Sequence, residues 1–317
     1  PACRRSRVEE AITGKPEPVA ICRLKRVAAD YKDDVRACMP EVAPPNGLRI
    51  ACVGAGPASL TVARDLAPLG YQVTVFDGET KAGGFMHQQI PRFRLPESVI
   101  DEETGYIFDL GVEFRPGERI DSMRTLLTQD WDAIFVGSGA PRGRDLEIPG
   151  RQEAAAHIHI GIDWLASVAF GHVQSIGKRV IVLGGGNTAM DCCRSALRLG
   201  GEDVKVIVRS GYDEMKASPW EKEDTAREGI PIINMHVPKA FVHEGGKLTG
   251  MVFEIVRAEY DAEGRRQLIP TGEPDVFFEC DEVLIAVGQE NAFPWVERDL
   301  GIEFGDWDLP VLRGDSF

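Results

Sequence analysis

Residues 49–77, R-I-A-C-V-G-A-G-P-A-S-L-T-V-A-R-D-L-A-P-L-G-Y-Q-V-T-V-F-D, constrain the fold more than any other stretch. Ile50 to Val53 form an apolar run of strand length that enters a glycine turn, Gly54-Ala55-Gly56. Leu60, Ala63, Leu66 and Ala67 then recur on one face of a helix that Gly70 closes, and a second strand, Gln72 to Phe76, ends on Asp77. Strand, glycine turn, helix, strand and acid in this order are what a dinucleotide-binding βαβ unit requires. Gly54 permits the tight turn and Gly56 lets the backbone approach a pyrophosphate. The helix N-terminus offers that diphosphate unpaired N–H groups and the positive end of its dipole. Asp77 stands where a carboxylate accepts hydrogen bonds from a ribose. Ser59 takes the place of a usual third glycine or alanine and is small enough for helix and strand to pack closely.

A second unit of the same kind occupies 178–209. Arg179 to Leu183 read as its strand, Gly184-Gly185-Gly186-Asn187-Thr188-Ala189 as its turn, and Ala189 to Leu199 as a helix closed by Gly200-Gly201. Its next strand, Val204 to Val208, ends on Arg209 where the first unit ended on an acid. An acid there favours a free ribose 2′-hydroxyl, whereas an arginine suits a 2′-phosphate. The second unit is therefore expected to prefer NADPH to NADH. Each unit also has a later apolar strand that ends in glycine, Ala133 to Gly137 for the first and Glu282 to Gly288 for the second, so the halves form an internal repeat. Gly83-Gly84 promises a further close backbone approach to a bound cofactor. A helix is expected from about Ser98 and a strand over Val112–Arg115, while turn signals at Gly245-Gly246, 261–264 and Thr271-Gly272 predict an antiparallel meander of short strands.

A chain of 317 residues, 43% apolar and 27% charged, can bury a large core in two or three domains. A net charge of −14 argues against nucleic acid and anionic membranes as partners. There is no apolar run of the about 18–20 residues that a bilayer span needs, and no signal-peptide core at the start. The seven cysteines follow no disulfide-framework spacing and read as reduced thiols of a cytoplasmic protein. At the N-terminus, Ala20, Leu24, Val27, Ala28, Tyr31 and Val35 recur at helical spacing, and Pro44-Pro45-Asn46-Gly47 reads as a linker.

Five stretches resemble one family in order: G-A-G-P-A-S (54–59), G-G-F-M-H-Q-Q-I-P-R-F-R-L-P (83–96), G-A-P-R-G-R-D-L-E-I-P-G (139–150), G-G-G-N-T-A-M-D-C-C (184–193) and A-V-G-Q (286–289). The chain resembles the small (β) subunit of NADPH-dependent glutamate synthase and its relatives among the two-dinucleotide-binding-domain flavoproteins. That resemblance implies an α/β fold with two Rossmann-like domains, the second inserted in the first, plus a short N-terminal helical segment. The implied divisions are 1–46, the remnant of an iron–sulfur domain; 47–145, the first part of an FAD domain; 146–288, an NAD(P)H domain; and 289–317, an incomplete return to the FAD domain. By position, FAD would be held through Gly54, Gly56, Pro57, Ala58, Asp77, Gly84 and Gly139. NADPH would be held through Gly185, Gly186, Asn187, Thr188 and Arg209, with Gly288 beside it. Family members often carry a second arginine where this chain has Ser210, which keeps NADH as the other candidate. Cys3 resembles a surviving iron–sulfur ligand. The missing initiator methionine and the lack of a G-G-D match beyond Arg313-Gly314-Asp315 lead us to expect a fragment that lacks both ends.

The implied function is hydride transfer from NADPH to FAD, followed by electron transfer to iron–sulfur clusters or to a larger redox subunit. Cofactors carry that chemistry, so no catalytic residue is named, and His87, His157 and His159 are read as surface or packing residues. A thioredoxin-reductase-like enzyme would need two cysteines two residues apart, and the only close pair is Cys192-Cys193. A flavin monooxygenase has only generic motifs in its favour. The alternative from another class is a non-catalytic docking subunit that keeps the nucleotide folds.

Overall fold

A computed structural model of the chain describes residues 4–9, 11, 12, 14, 16, 18–311 and 314. Cys3, Arg313 and Asp315 lie outside the described residues. The chain divides into two compact units, Pro1–Val42 and Ala43–Phe317. The division falls before the expected 46/47 boundary because the Ala43 N–H donates to Pro68 and the Asn46 N–H to Gly70, which sews Pro44-Pro45 to the larger unit. In the smaller unit, α1 (Ile21–Asp30) buries none of its residues. Helical spacing continues to Val35 in the sequence, but the helix stops at Asp30. Asp34 instead accepts the Arg36 N–H at 3.0 Å, a local side-chain turn that competes with helix.

The larger unit is built on two parallel sheets. The first contains β1 (Arg49–Val53), β2 (Gln72–Asp77), β3 (Glu113–Pro116) and β4 (Ala133–Val136), in the order β3-β2-β1-β4. Its connections carry α2 (Pro57–Leu66), α3 (Phe85–Gln88), α4 (Glu97–Phe108) and α5 (Met123–Leu127). A two-residue strand, β5 (Arg142–Gly143), precedes the second lobe.

That lobe runs β6 (Ile158–Ile160), α6 (Gly161–Ala169), β7 (Arg179–Leu183), α7 (Asn187–Arg198), β8 (Asp203–Ile207), α8 (Pro219–Arg227) and β9 (Ile232–Ile233). An antiparallel layer follows: β10 (His236–Glu244), β11 (Lys247–Tyr260), β12 (Arg266–Pro270) and β13 (Val276–Glu279). The expected meander is there, but β11 is a 14-residue strand rather than a short one. β14 (Glu282–Ile285) then enters the second sheet, whose order is β6-β14-β7-β8-β9. β15 (Gln289–Glu290) pairs with β5, and the chain returns to the first lobe.

Strand alternation decides what covers each face. Val180 and Val182 of β7 point to α6 and α7, where they meet Trp164, Met190 and Ala196. Ile181 and Leu183, from the alternate positions, meet Phe241, Leu248, Met251 and Phe253 of the antiparallel layer. On the first sheet, Trp295 and Val296 from the returning segment pack with Ala51, Val53, Phe76 and Leu126.

In both sheets the order reverses beside the first strand, between β1 and β4 and between β7 and β14. These are topological switch points, where the crevice outside the carboxyl ends of an open α/β sheet receives ligands. At each one the neighbouring strand crowds the turn. A β-carbon on Gly54 (φ +94°) would lie 2.6 Å from the Gly137 carbonyl oxygen, and one on Gly184 (φ +138°) 2.2 Å from that of Ala286. Gly54→Ala and Gly184→Ala should each lower stability by about 2 kcal/mol or more, read from urea midpoints. A change below about 0.5 kcal/mol in either would show that the strands yield.

Candidate functional site

The first switch point is assembled by backbone hydrogen bonds. Asp77 accepts the Ala55 N–H at 2.6 Å through one oxygen and the Glu79 N–H at 2.9 Å through the other. The expected ribose acceptor therefore already braces the glycine turn. The Gly83 N–H donates to the Ala55 carbonyl at 2.8 Å, joining the 83–96 segment to the same turn. Gly56 caps α2 without any side-chain hydrogen bond, and Pro57 and Ala58 head the helix. A β-carbon on Gly56 would meet nothing within 4 Å, and the same holds at Gly139.

Gly83 and Gly84 are crowded by the chain itself. A β-carbon on Gly84 (φ +52°) would come 2.9 Å from Gly56 Cα, and one on Gly83 2.9 Å from Ile100 Cγ2. Their close approach is to protein, which explains the glycines by packing within the chain. Ser59 is fully buried, and a β-carbon at 137 would fall 2.1 Å from its Oγ, so serine fits because Gly137 has no side chain.

The second switch point opens into a cleft of about 740 Å³ whose lining includes Gly185, Gly186, Thr188, Arg209 and Gly288. Gly186 caps α7 with no side-chain hydrogen bond, and a β-carbon there would again meet nothing within 4 Å. Gln289 donates to the Thr188 hydroxyl at 3.4 Å, which brings the end of the A-V-G-Q stretch to the turn. Asn187 is turned elsewhere: its Oδ1 accepts the Ser218 N–H at 2.8 Å and ties the turn to the start of α8.

Arg209 shares the cleft with Lys216 and Arg266. Arg266 donates to Glu214 at 2.6 Å, and Glu214 also accepts the Tyr260 hydroxyl and the Gly211 N–H. The Tyr260 hydroxyl first, then the Gly211 N–H and Arg266, hold the Glu214 carboxyl down at about 2. That acid is committed, while Arg209 and Lys216 have no ion pair among the described residues. Sequence reasoning found Arg209 and missed its companions. Lys216 was within reach, being a cation in the same loop. Arg266 was not, because only folding brings the start of β12 to this end of the sheet.

Between the lobes lies a cluster of charges that the sequence did not announce. One nitrogen of Arg94 donates to both Asp191 oxygens at 2.6 Å, and the other lies 2.7 Å from Glu221. Glu221 also pairs with Arg194 at 2.9 Å, and Arg194 and Arg198 share Glu228. Burial pushes the Asp191 carboxyl up to about 6, against the pull of Arg94.

His87 is buried rather than at the surface, and its Nδ1 lies 3.1 Å from an Arg92 guanidinium nitrogen. A guanidinium only donates, so Nδ1 accepts and the ring hydrogen sits on Nε2. Nε2 faces Glu97 and Asp101 at 3.4 and 3.5 Å, and the Lys81 ammonium bonds both acids. These three ligand types are close enough for a metal ion, but the imidazole has no free lone pair to give one. His159 bonds Glu282 at 3.1 Å. Burial raises the Cys52 thiol to about 11 and those of Cys193 and Cys280 to about 12, and it raises Cys192 as well. Cys192 and Cys193 lie within α7, so they do not make a thiol pair for disulfide exchange.

Two parallel sheets, each with a glycine turn and a bare helix N-terminus at its switch point, define an α/β oxidoreductase of the two-dinucleotide-domain kind. The chain belongs to the pyridine nucleotide-disulphide oxidoreductase family, whose model matches residues 48–311. It is 34% identical over 321 residues to the NADPH-Fe(3+) oxidoreductase subunit beta of Geobacter sulfurreducens, covering 98% of this chain and 46% of that one. It is 31% identical over 283 residues to the glutamate synthase [NADPH] small chain of Azospirillum brasilense, covering 84% and 57%. The chain thus spans about half the length of the curated relatives it matches. Among solved structures, it is similar in fold to Mycobacterium tuberculosis FprA in complex with NADPH, with a TM-score of 0.69 at 17% identity over 83% of this chain and 74% of that one. No described helix is long and apolar enough to cross a membrane.

The Asp191 result carries a pH dependence. A folded pKa of about 6, raised from an ordinary 3.8, means that the folded state binds the proton more readily. This group's contribution to stability therefore grows as pH falls from 7 toward 4, opposite to the usual paired carboxylate. Between pH 7 and 5 the wild type should gain about 1 kcal/mol relative to Asp191→Asn in urea unfolding. A difference that does not move with pH would mean that Asp191 titrates at its ordinary value.

Proposed function

We propose that this chain is the nucleotide-binding part of a flavin-dependent NAD(P)H oxidoreductase that takes electrons from NADPH onto FAD and passes them to iron–sulfur clusters or a partner subunit. One observation carries this reading: Gly56 and Gly186 are glycines that no protein contact requires, at the bare N-termini of two helices above two switch points. Among the described residues nothing fills the place of their missing side chains, and a diphosphate against uncapped N–H groups accounts for both. The residues present fit the two cofactors in complementary ways. Asp77 stands at the first turn with a carboxylate for ribose hydroxyls, while Arg209, Lys216 and Arg266 supply positive charge for a 2′-phosphate at the second.

Bound FAD and NADPH would supply the redox chemistry, a hydride leaving nicotinamide and entering flavin with no further proton (NADPH + FAD → NADP+ + FADH−). The chain's part is to bind, orient and exclude water. The glycine turns and helix ends hold the diphosphates, and the cations of the second cleft select the phosphorylated dinucleotide. No acid or base is assigned, since hydride transfer needs none. The names of the relatives, a subunit beta and a small chain, support a partner in a larger redox assembly. The scattered cysteines, several of them buried as thiols, are consistent with a reducing cytoplasm.

The visible spectrum of the full-length protein after incubation with FAD tests the reading. A flavin band at about 450 nm should bleach on anaerobic addition of NADPH, and faster than with NADH. A protein that stays colourless, or a band that does not respond to either nucleotide, would favour the docking subunit instead. Gly56→Ala and Gly186→Ala separate the two sites. Each should change stability by less than about 1 kcal/mol, the first weakening FAD binding and the second NADPH binding. Unchanged affinities by titration calorimetry would remove the diphosphates from these turns.

A further inference from the structure

The segment 83–96 is bonded to both lobes. At its start, the Gly83 N–H bonds Ala55 and Gly84 packs on Gly56, so it is fixed to the first glycine turn. At its end, Phe93 and Arg94 enter the second lobe. The Arg198 guanidinium lies 3.9 Å from the Phe93 ring centre and that of Arg194 5.0 Å from it, while Arg94 grips Asp191 on α7 and Glu221 on α8. Asp191 stands one turn beyond Asn187, the first residue of the helix whose bare N-terminus faces the second cleft. A segment of fourteen residues therefore runs from the first glycine turn to the helix that follows the second.

We propose that Arg94 is a positioning residue: its two-pronged hold on Asp191 and Glu221 sets the second dinucleotide turn relative to the first, and with it the approach of hydride donor to acceptor. This rests on the electron-transfer reading above. Stability is a weak reason for the arrangement. Asp191 is held ionised at the expense of its desolvation, and buried ion pairs are commonly replaceable by apolar contacts without loss. What a forked guanidinium adds is a single geometry, because both acids must lie in its plane at fixed angles. Hydride transfer is sensitive to that geometry, since a displacement of about 1 Å can slow a reaction about a hundredfold.

The test uses the full-length, FAD-loaded protein with Arg94→Lys and with the charge-balanced double variant Arg94→Met/Asp191→Leu. Four quantities are read: flavin content, NADP+ affinity by calorimetry, the change NADP+ causes in the flavin absorption band, and bleaching rate at saturating NADPH. Both variants should keep flavin content and NADP+ affinity within about twofold of wild type. The double variant should lose the NADP+-induced band change and bleach about tenfold more slowly, with Arg94→Lys about threefold slower. Wild-type bleaching and a wild-type band change in the variants would overturn the proposal, as would slowing fully explained by lost flavin or weakened NADP+ binding. If the double variant does not fold, Arg94→Lys decides by the same criteria. A wild-type protein that binds both cofactors and never bleaches overturns the electron-transfer reading itself, and the proposal with it.

Discussion

The carbonyl oxygens of Gly137 and Ala286 lie where a β-carbon on the preceding turn's first glycine would have to be. That crowding follows from strand pairing: the Gly137 N–H bonds Val53 at 2.9 Å and the Ala286 N–H bonds Leu183 at 2.7 Å. The neighbouring strand is thus held against the turn on the side where the sheet reverses its order. A side chain there would push the strands apart, and close-packed interiors relax poorly around such an intrusion. Since the same constraint operates twice, both helices leave their sheets at the same place. Their N-termini stand bare above matching crevices for that reason.

Glycines in one motif therefore have different causes. Gly54, Gly84, Gly184 and Gly185 are required by contacts within the chain, while Gly56 and Gly186 are required by none. The distinction turns a pattern into a statement about ligands: at Gly56 and Gly186 the chain itself gives no reason for the missing side chain. Charge makes a second distinction. In a chain of net charge −14, four cations (Arg144, Arg209, Lys216 and Arg266) line one cleft against two acids, Asp145, paired with Arg151, and Glu214, occupied by Tyr260, Gly211 and Arg266. A local field opposite in sign to the whole molecule is arranged for an anion, and low-dielectric walls focus it.

The sheets and their turns were legible because each needs only local information: a buried run, a glycine and a helix period within about 30 residues. Several strand limits agreed to within a residue, as with Gln72–Asp77 and Asp203–Ile207, whereas the strand expected to run from Glu282 into Gly288 ends at Ile285. What escaped depends on long-range placement. The apolar spacing of α1 suggests a packed face, yet none of its residues is buried, because spacing records a helix's own symmetry and not its partner. Arg266 joins Arg209 only through a hairpin whose length the turn signals understated. Asp77, read as a ribose ligand, proved also to brace the turn, since a carboxylate at a strand end finds backbone donors before it meets any ligand. The motif 83–96 was visible as a match, but its role between lobes was not, since nothing in F-R-L-P names Asp191 or Glu221.

Such a junction could have been apolar. Phe93 already contributes a flat surface, and aliphatic side chains on α7 and α8 would cover it at a smaller desolvation penalty than three acids and three arginines. Apolar contacts, however, are non-directional, and two greasy faces can slide by a turn with little change in area. A guanidinium held by two carboxylates has one low-energy arrangement, and stacking Phe93 beneath Arg198 removes the remaining rotation of the loop. The β5–β15 pair joins the lobes through only two residue pairs, too few to determine an angle between sheets. On the proposal made for Arg94, its contacts with Asp191 and Glu221 add angular information that this short pairing lacks. Their net contribution to stability can be small or negative all the same, because an angle depends on the steepness of the energy well and not on its depth.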